Sequence, residues 1–169
     1  MAGTMSVCIS GGDVWAENTV KLTSDTVYNV IGEIPASIEM NGHNITSNVM
    51  LNADNAGLSI IGTDMENLTI NGEGLQFAVA AQSSSNAKVL ISNVKKVDIT
   101  GNVINDSLLH SNINGAIIFD KVGLFNITTE KSIGLHAQGG LIYIDADAVS
   151  IKSKDENAIW AQLSNCSGD

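Results

Sequence analysis

The chain has 169 residues, of which 44% are hydrophobic and only 4% aromatic, so aliphatic side chains must fill its core. Eighteen acidic residues outnumber eight basic ones, every basic residue is lysine, and the formal net charge is −10. Because nucleic acids and anionic lipid surfaces attract clustered positive charge, this balance excludes both as partners. No stretch approaches the roughly 18 apolar residues of a membrane span, so direct membrane insertion is not expected.

The first half of the chain alternates short apolar segments with turn residues. Asn-Gly pairs at Asn41-Gly42 and Asn71-Gly72 separate the segments, and this pattern predicts short β-strands in an all-β protein. From Gly74 to Ser92 the pattern loosens, and residues 78–87 are predicted to bulge from the fold as an insertion. The apolar segments before the insertion are Val20–Leu22, Ile38–Met40, Val49–Leu51, Leu58–Ile60 and Leu68–Ile70.

The second half repeats one phrase three times: Val89–Ser92 with Val97, Ala116–Phe119 with Leu124, and Leu141–Ile144 with Val149. In each copy the second apolar segment starts eight residues after the first, and the copies begin 27 and 25 residues apart. In a parallel β-helix each coil lies over the previous one, so the connectors must have a constant length. The strands of an antiparallel sandwich, which is the competing interpretation, need no constant connector length. The coil length exceeds that of left-handed hexapeptide helices.

We therefore predict a right-handed parallel β-helix, a solenoid of about six coils, over residues 20–152. Residues 1–19 are expected to form an N-terminal cap, with Ser10–Trp15 at its start, or the beginning of the first coil. Residues 153–169 are expected to form the C-terminal cap or end, where Ala158–Leu163 would cover unpaired backbone of the last coil.

Alignment of the copies places Asn93, Asp120 and Asp145 directly after the first strand of each coil, where stacking superposes them about 4.8 Å apart. Asp145 and Asp147 lie two residues apart on an extended segment and project to one side. We call Asp120, Asp145 and Asp147 the acidic corner. Its carboxylates suit a glycosidase pair or a calcium site, and the simpler interpretation is that they are solvated turn residues.

The histidines are the other candidate ligands. His110 and His136 lie 26 residues apart, nearly one coil, so a single ladder would hold both and let them share a metal. Zinc sites need at least a third ligand, the sequence offers no clear one, and His43 lies in a distant turn. No Ser-His-Asp spacing, phosphate loop or nucleophile elbow is evident. We therefore predict no catalytic, cofactor-binding or metal-binding residue, and no cofactor.

The phrases Ile38–Thr46 and Leu68–Gly74 resemble those of right-handed parallel β-helix surface proteins of bacteria, such as autotransporter passengers and adhesin-like repeat proteins. The likeness covers roughly residues 20–152. It implies a non-enzymatic structural or adhesive protein, extracellular or at the cell surface. Such a protein binds a surface glycan or protein receptor along the side of the stack, or self-associates into fibres. The chain is also compatible with being part of a longer repeat protein.

The alternative is a carbohydrate-active β-helix enzyme, a polysaccharide lyase or hydrolase, that uses the acidic corner. Lyases resembling this fold typically use an arginine or lysine base, and the hydrolases use clustered aspartates with a Gly-His-Gly type motif. The chain has no arginine and no such histidine motif. The non-enzymatic interpretation is therefore preferred.

Two further features bear on location and assembly. Five Asn-x-Ser/Thr sequons favour export weakly, since a chain rich in Asn, Ser and Thr yields several by chance. Cys8 and Cys166 lie near opposite ends, which stacked coils separate by roughly 24 Å, whereas a disulfide needs Cα atoms within about 7 Å. They stay unpaired, or they join chains head to tail into a fibre. The sequons are at Asn44, Asn67, Asn105, Asn126 and Asn165.

Overall fold

All regular structure in the described part of the chain is β-strand, and every strand pairing is parallel. The computed structural model describes residues 19–53, 57–82 and 87–162. Each strand pairs with strands one coil earlier or later, in two sheets of nine and five strands. The fold is a parallel β-solenoid of about five turns, which confirms the predicted fold class at nearly the predicted number of coils. Its right-handed winding stays a prediction. In the described ranges, no helix has the length and hydropathy of a membrane span.

The coils present three faces, because the longest strands bend and run through two of them. The first face holds β1 (Thr19–Lys21), β3 (Ser37–Glu39), β6 (Leu58–Ile61) and the first halves of β9 (Lys88–Thr100), β11 (Ala116–Thr129) and β13 (Leu141–Ser153). The second face holds β2 (Thr26–Tyr28), β4 (Ile45–Ser47), β7 (Asn67–Asn71) and the second halves of β9, β11 and β13. The third face holds β5 (Leu51–Asn52), β8 (Val79–Ala81), β10 (Ser107–Ser111), β12 (Ile133–Gln138) and β14 (Ile159–Gln162).

Inward-facing apolar side chains form ladders along the solenoid axis. Strands at the sheet spacing of about 4.8 Å bring equivalent side chains of successive coils into contact, so each coil buries the apolar row of its neighbour. Phe119 and Phe125 are fully buried, and their ring centroids lie 4.6 Å apart in an edge-to-face arrangement. The ladder of the first face is Val20, Ile38, Ile60, Ile91, Phe119 and Ile144. The second face has Ile45, Leu68, Val97, Phe125 and Val149, and the third has Leu51, Val79, Leu109, Leu135 and Ile159.

The corner between the first and second faces turns at a residue with positive φ. Asn93 and Lys121 both have φ of 54°, and both follow the paired residues Ser92 and Asp120. Between β11 and β13 the register shifts, so that Asp120 and Lys121 together face the single residue Asp145. The predicted superposition of Asn93 with Asp120 is therefore wrong by one residue, because Asp120 lies over Ser92.

The predicted insertion at residues 78–87 is wrong at residues 78–81, and residues 83–86 lie outside the described residues. Strand β8 lies inside it, and Ala78 through Ala81 are fully buried in the third face. At the C-terminal end, residues 159–162 of the segment expected to cover the stack form β14, which pairs with β12 and extends the third face. The predicted N-terminal cap at Ser10–Trp15, both cysteines and the sequon at Asn165 lie outside the described residues.

Candidate functional site

A column of rings runs along the outer side of the third face. His110 on β10 pairs in register with His136 on β12, which confirms the single ladder predicted from their spacing, and His136 pairs with Trp160 on β14. Phe77 stacks on His110 with ring centroids 4.6 Å apart, and Trp160 stacks on His136 at 4.8 Å. The two imidazoles meet edge to face at 5.2 Å. Both histidines are more than nine-tenths buried, at 7% and 4% exposure.

The carboxylate of Asp106 joins the two histidines. Asp106 ends the turn that leads into β10, and its Oδ2 lies 2.8 Å from Nδ1 of His136. Its Oδ1 lies 3.7 Å from Nδ1 of His110 and accepts a hydrogen bond of 3.0 Å from the Ser107 hydroxyl. One potential ligand atom from each of Asp106, His110 and His136 lies within 4.8 Å of the other two. We call these three residues the Asp-His-His cluster.

Protein groups satisfy this cluster only in part. Nε2 of His136 is buried and has no hydrogen-bond partner. Nδ1 of His110 is too far from Asp106 for a hydrogen bond, and its nearer neighbour is the Ser107 hydroxyl at 3.4 Å. Burial lowers the pKa of His110 by more than the Asp106 charge raises it. Burial raises the pKa of Asp106, but hydrogen bonds from His136 and Ser107 and the histidine charges hold it below its usual value.

Sequence reasoning missed Asp106. Its side chain contacts His136, 30 residues later, and no local sequence pattern indicates that contact. The available signal was an aspartate four residues before His110, at a turn that feeds the strand of the predicted histidine ladder. The missing third ligand was the argument against a metal site, and Asp106 removes that argument.

The acidic corner lies on the solvent side of the bend between the first two faces. Asp145 and Asp147 are exposed and line one shallow groove of about 300 Å³, as expected for residues two apart, and Lys121 lies in the same groove. Asp120 accepts a hydrogen bond of 3.2 Å from the Ser92 hydroxyl. The corner therefore places a lysine cation among its carboxylates, an arrangement that suits a solvated surface.

A second groove, of about 430 Å³, follows the first face near β1. A column of hydroxyls lies in it: Thr19 and Ser59 both donate hydrogen bonds to Ser37, at 3.1 Å and 3.0 Å. Lys21 and Glu39 line the same groove. These hydroxyls bond to one another along the axis, so they connect coils as well as face the groove.

Among the residues that the structure describes, none covers the C-terminal end of the stack. Among the described strands, β13 has a partner on one side only, namely β11. The last members of the core ladders lie on β13 and on β14, which among the described strands pairs only with β12. Val149 is 51% exposed and Ile159 is 59% exposed, and Ile144 is only partly buried. We call these three residues the open end.

Comparisons with protein-family models, with curated proteins and with solved structures found no match. Of the features that the resemblance to bacterial surface proteins implies, the structure therefore supports the parallel β-solenoid fold.

Proposed function

We propose that this protein is a non-enzymatic structural β-solenoid whose copies associate end to end. The open end is the observation that carries the proposal. Val149 is half exposed, whereas Val97 and Phe125, its neighbours in the same ladder, are fully buried. An exposed edge strand with an apolar inner row favours pairing with another strand.

A second copy suits the open end because the ladders of a parallel stack reach both of its ends. Val20 belongs to the same ladder as Ile144 and is 41% exposed on β1. Stacking β1 of one copy on β13 of another continues the parallel backbone pairing and places Val20 over Ile144. Such a heterologous contact does not close on itself, so it generates a filament.

Charge supports the same head-to-tail arrangement. One register column runs through Lys21, Glu39, Ile61, Ser92 and Asp120, and Asp145 follows at the open end. The Lys21 side chain is 62% exposed. Stacking one copy on the next brings this lysine to the exposed Asp145 carboxylate. The net charge of −10 opposes association in general, so we expect assembly to strengthen as salt screens the repulsion.

Sedimentation velocity and negative-stain electron microscopy test the proposal. We expect the wild-type protein to form filaments or linear oligomers whose length grows between about 1 and 100 µM. Ile159→Lys places an ammonium group in the contact and should weaken association at least about tenfold. Ile104→Lys is the matched control, because Ile104 is 72% exposed in the turn between β9 and β10.

Two outcomes contradict end-to-end association. One is a wild-type protein that stays monomeric over the whole concentration range. The other is equal weakening by Ile159→Lys and Ile104→Lys, which would point to a general effect of added charge. An extracellular or cell-surface location and a glycan or protein receptor remain predictions of the sequence.

A further inference from the structure

We infer that Asp106, His110 and His136 bind a divalent transition-metal ion, of which zinc fits best, and that the ion connects consecutive coils of the third face. The inference is independent of end-to-end association, since all three ligands come from one chain and lie away from the core ladders.

The donor set matches zinc. Two imidazole nitrogens and one carboxylate oxygen are common zinc ligands, and three protein ligands leave a fourth position for water. Zinc bonds of about 2.0–2.1 Å in a tetrahedron place neighbouring ligand atoms about 3.3 Å apart. The distances from the Asp106 oxygens to Nδ1 of His136 and of His110, 2.8 Å and 3.7 Å, fall on either side of that value. All three ligand atoms lie within 4.8 Å of one another, so the set is close to the size that one ion needs.

The cluster is costly without an additional partner. In register with the two histidines, the preceding coil has Ala80 and the following coil has Trp160. Apolar residues can therefore fill this outward position of the third face. Two buried imidazoles instead require hydrogen bonds, yet Nε2 of His136 has none. Burying imidazole nitrogens without full hydrogen bonding is unfavourable, and a cation bonded to Nδ1 of both rings offsets part of this cost, while Nε2 of His136 still lacks a partner.

The supporting elements hold the ligands in place and leave an entrance. Strand pairing fixes the backbones of both histidines, and the stacked rings of Phe77 and Trp160 restrict the rotation of the imidazoles. The Asp106 side chain is 42% exposed, so the cluster reaches solvent on that side. A metal ion can therefore enter past Asp106.

Zinc titration of untagged, metal-free protein tests the site, with both cysteines replaced by serine to remove competing thiolates. Competition with a chromophoric chelator should give one zinc per chain, and cobalt should produce the absorption of a tetrahedral site. With free zinc at about 100 times its Kd, we expect the melting temperature to rise by roughly 5–10 °C.

Asp106→Asn and His136→Gln should each abolish the melting shift or weaken zinc binding at least about tenfold. Asp106→Asn is the safer variant because the side chain is partly exposed. His43→Gln is the matched control: Nδ1 of His43 lies 3.7 Å from an oxygen of Asp25, which forms a histidine–carboxylate pair outside the cluster. Circular dichroism confirms that each variant is folded. The inference is wrong if folded wild-type protein binds no zinc, or if zinc binding survives both Asp106→Asn and His136→Gln.

Discussion

The Glu66 side chain connects two coils at a corner of the solenoid. It lies just before β7, and only 1% of the residue is exposed. Its carboxylate accepts hydrogen bonds from the backbone N–H groups of Thr63, Met65 and Gly42, and from the Thr63 hydroxyl. Gly42 belongs to the preceding coil, so the bond of 2.6 Å between its N–H and Glu66 crosses from one coil to the next. Burial alone raises the pKa of Glu66, but these donors outweigh burial and hold the pKa at about 2.

We expect Glu66→Gln to destabilise the fold by about 2 kcal/mol at neutral pH, because the amide loses the charge-assisted bonds and cannot accept all the donors. The folded pKa lies below the ordinary value of 4.5, so the stabilisation is complete above that pH and is lost as pH falls towards 2. Urea unfolding of both proteins at about pH 7 and about pH 3 measures this, and the difference in unfolding free energy should shrink at the lower pH. Glu39→Gln, at an exposed site, is the control. Equal stability of Glu66→Gln and wild type at neutral pH would contradict the assigned role.

The sequence could not predict such residues, because their partners belong to other coils. Glu66 bonds to Gly42, 24 residues earlier, and Asp106 bonds to His136, 30 residues later. A pattern of residue types along the chain identifies the strands, but it does not say which turn residue of one coil reaches which residue of the next. The histidine ladder was predictable because both members occupy the same position of the repeat.

At the scale of elements, the fold class was predictable because the apolar segments of the last three coils recur at a nearly constant spacing. The exact register was not. The structure aligns Lys88 with Ala116 and Leu141, whereas matching the apolar starts aligned Val89 with Ala116. The position that Lys88, Ala116 and Leu141 share faces outward, where lysine is tolerated. Because the later two copies carry apolar residues there, the sequence alone suggested that the position faces the core. The sequence did not identify β2, β4 and β8, because none of their three-residue sequences places an apolar residue on each side of a polar one.

The corner between the first and second faces, where β9 and β11 each bend, allows a prediction at the scale of elements. Lys121 occupies the left-handed region with φ of 54°, as Asn93 does on the preceding coil. A side chain such as lysine is strained there, whereas asparagine tolerates this conformation. We expect Lys121→Asn to stabilise the protein by about 0.5–1 kcal/mol.

Urea unfolding at about 0.5 M salt measures the change, since salt screens the loss of a positive charge near Asp145. Lys95→Asn is the matched control: Lys95 is exposed within β9 and is not among the residues with positive φ. Asparagine is disfavoured in strands, so this control should be neutral or slightly destabilising. A stability gain in Lys95→Asn as large as that in Lys121→Asn would show that left-handed strain is not the cause.

At the scale of the whole molecule, a solenoid is a linear array in which each coil contacts only its neighbours. The central strand β9 pairs with β6 and β7 on one side and with β11 on the other. Among the described strands, β13 pairs only with β11. Local stability should therefore fall from β9 towards the open end, because the last coil lacks the contacts that bury each interior coil.

Hydrogen exchange measured by mass spectrometry tests this gradient and end-to-end association together. In dilute protein, amides of β9 should exchange most slowly and those of β13 much faster. When the concentration rises from about 1 to about 100 µM, a second copy should cover the open end and slow exchange in β13, while β9 stays unchanged. Ile159→Lys should keep the gradient but lose its concentration dependence, because the substitution removes the contact and not the fold. Fast exchange in β13 at every concentration of the wild-type protein would contradict end-to-end association. Uniform exchange along the chain would contradict the predicted stability gradient.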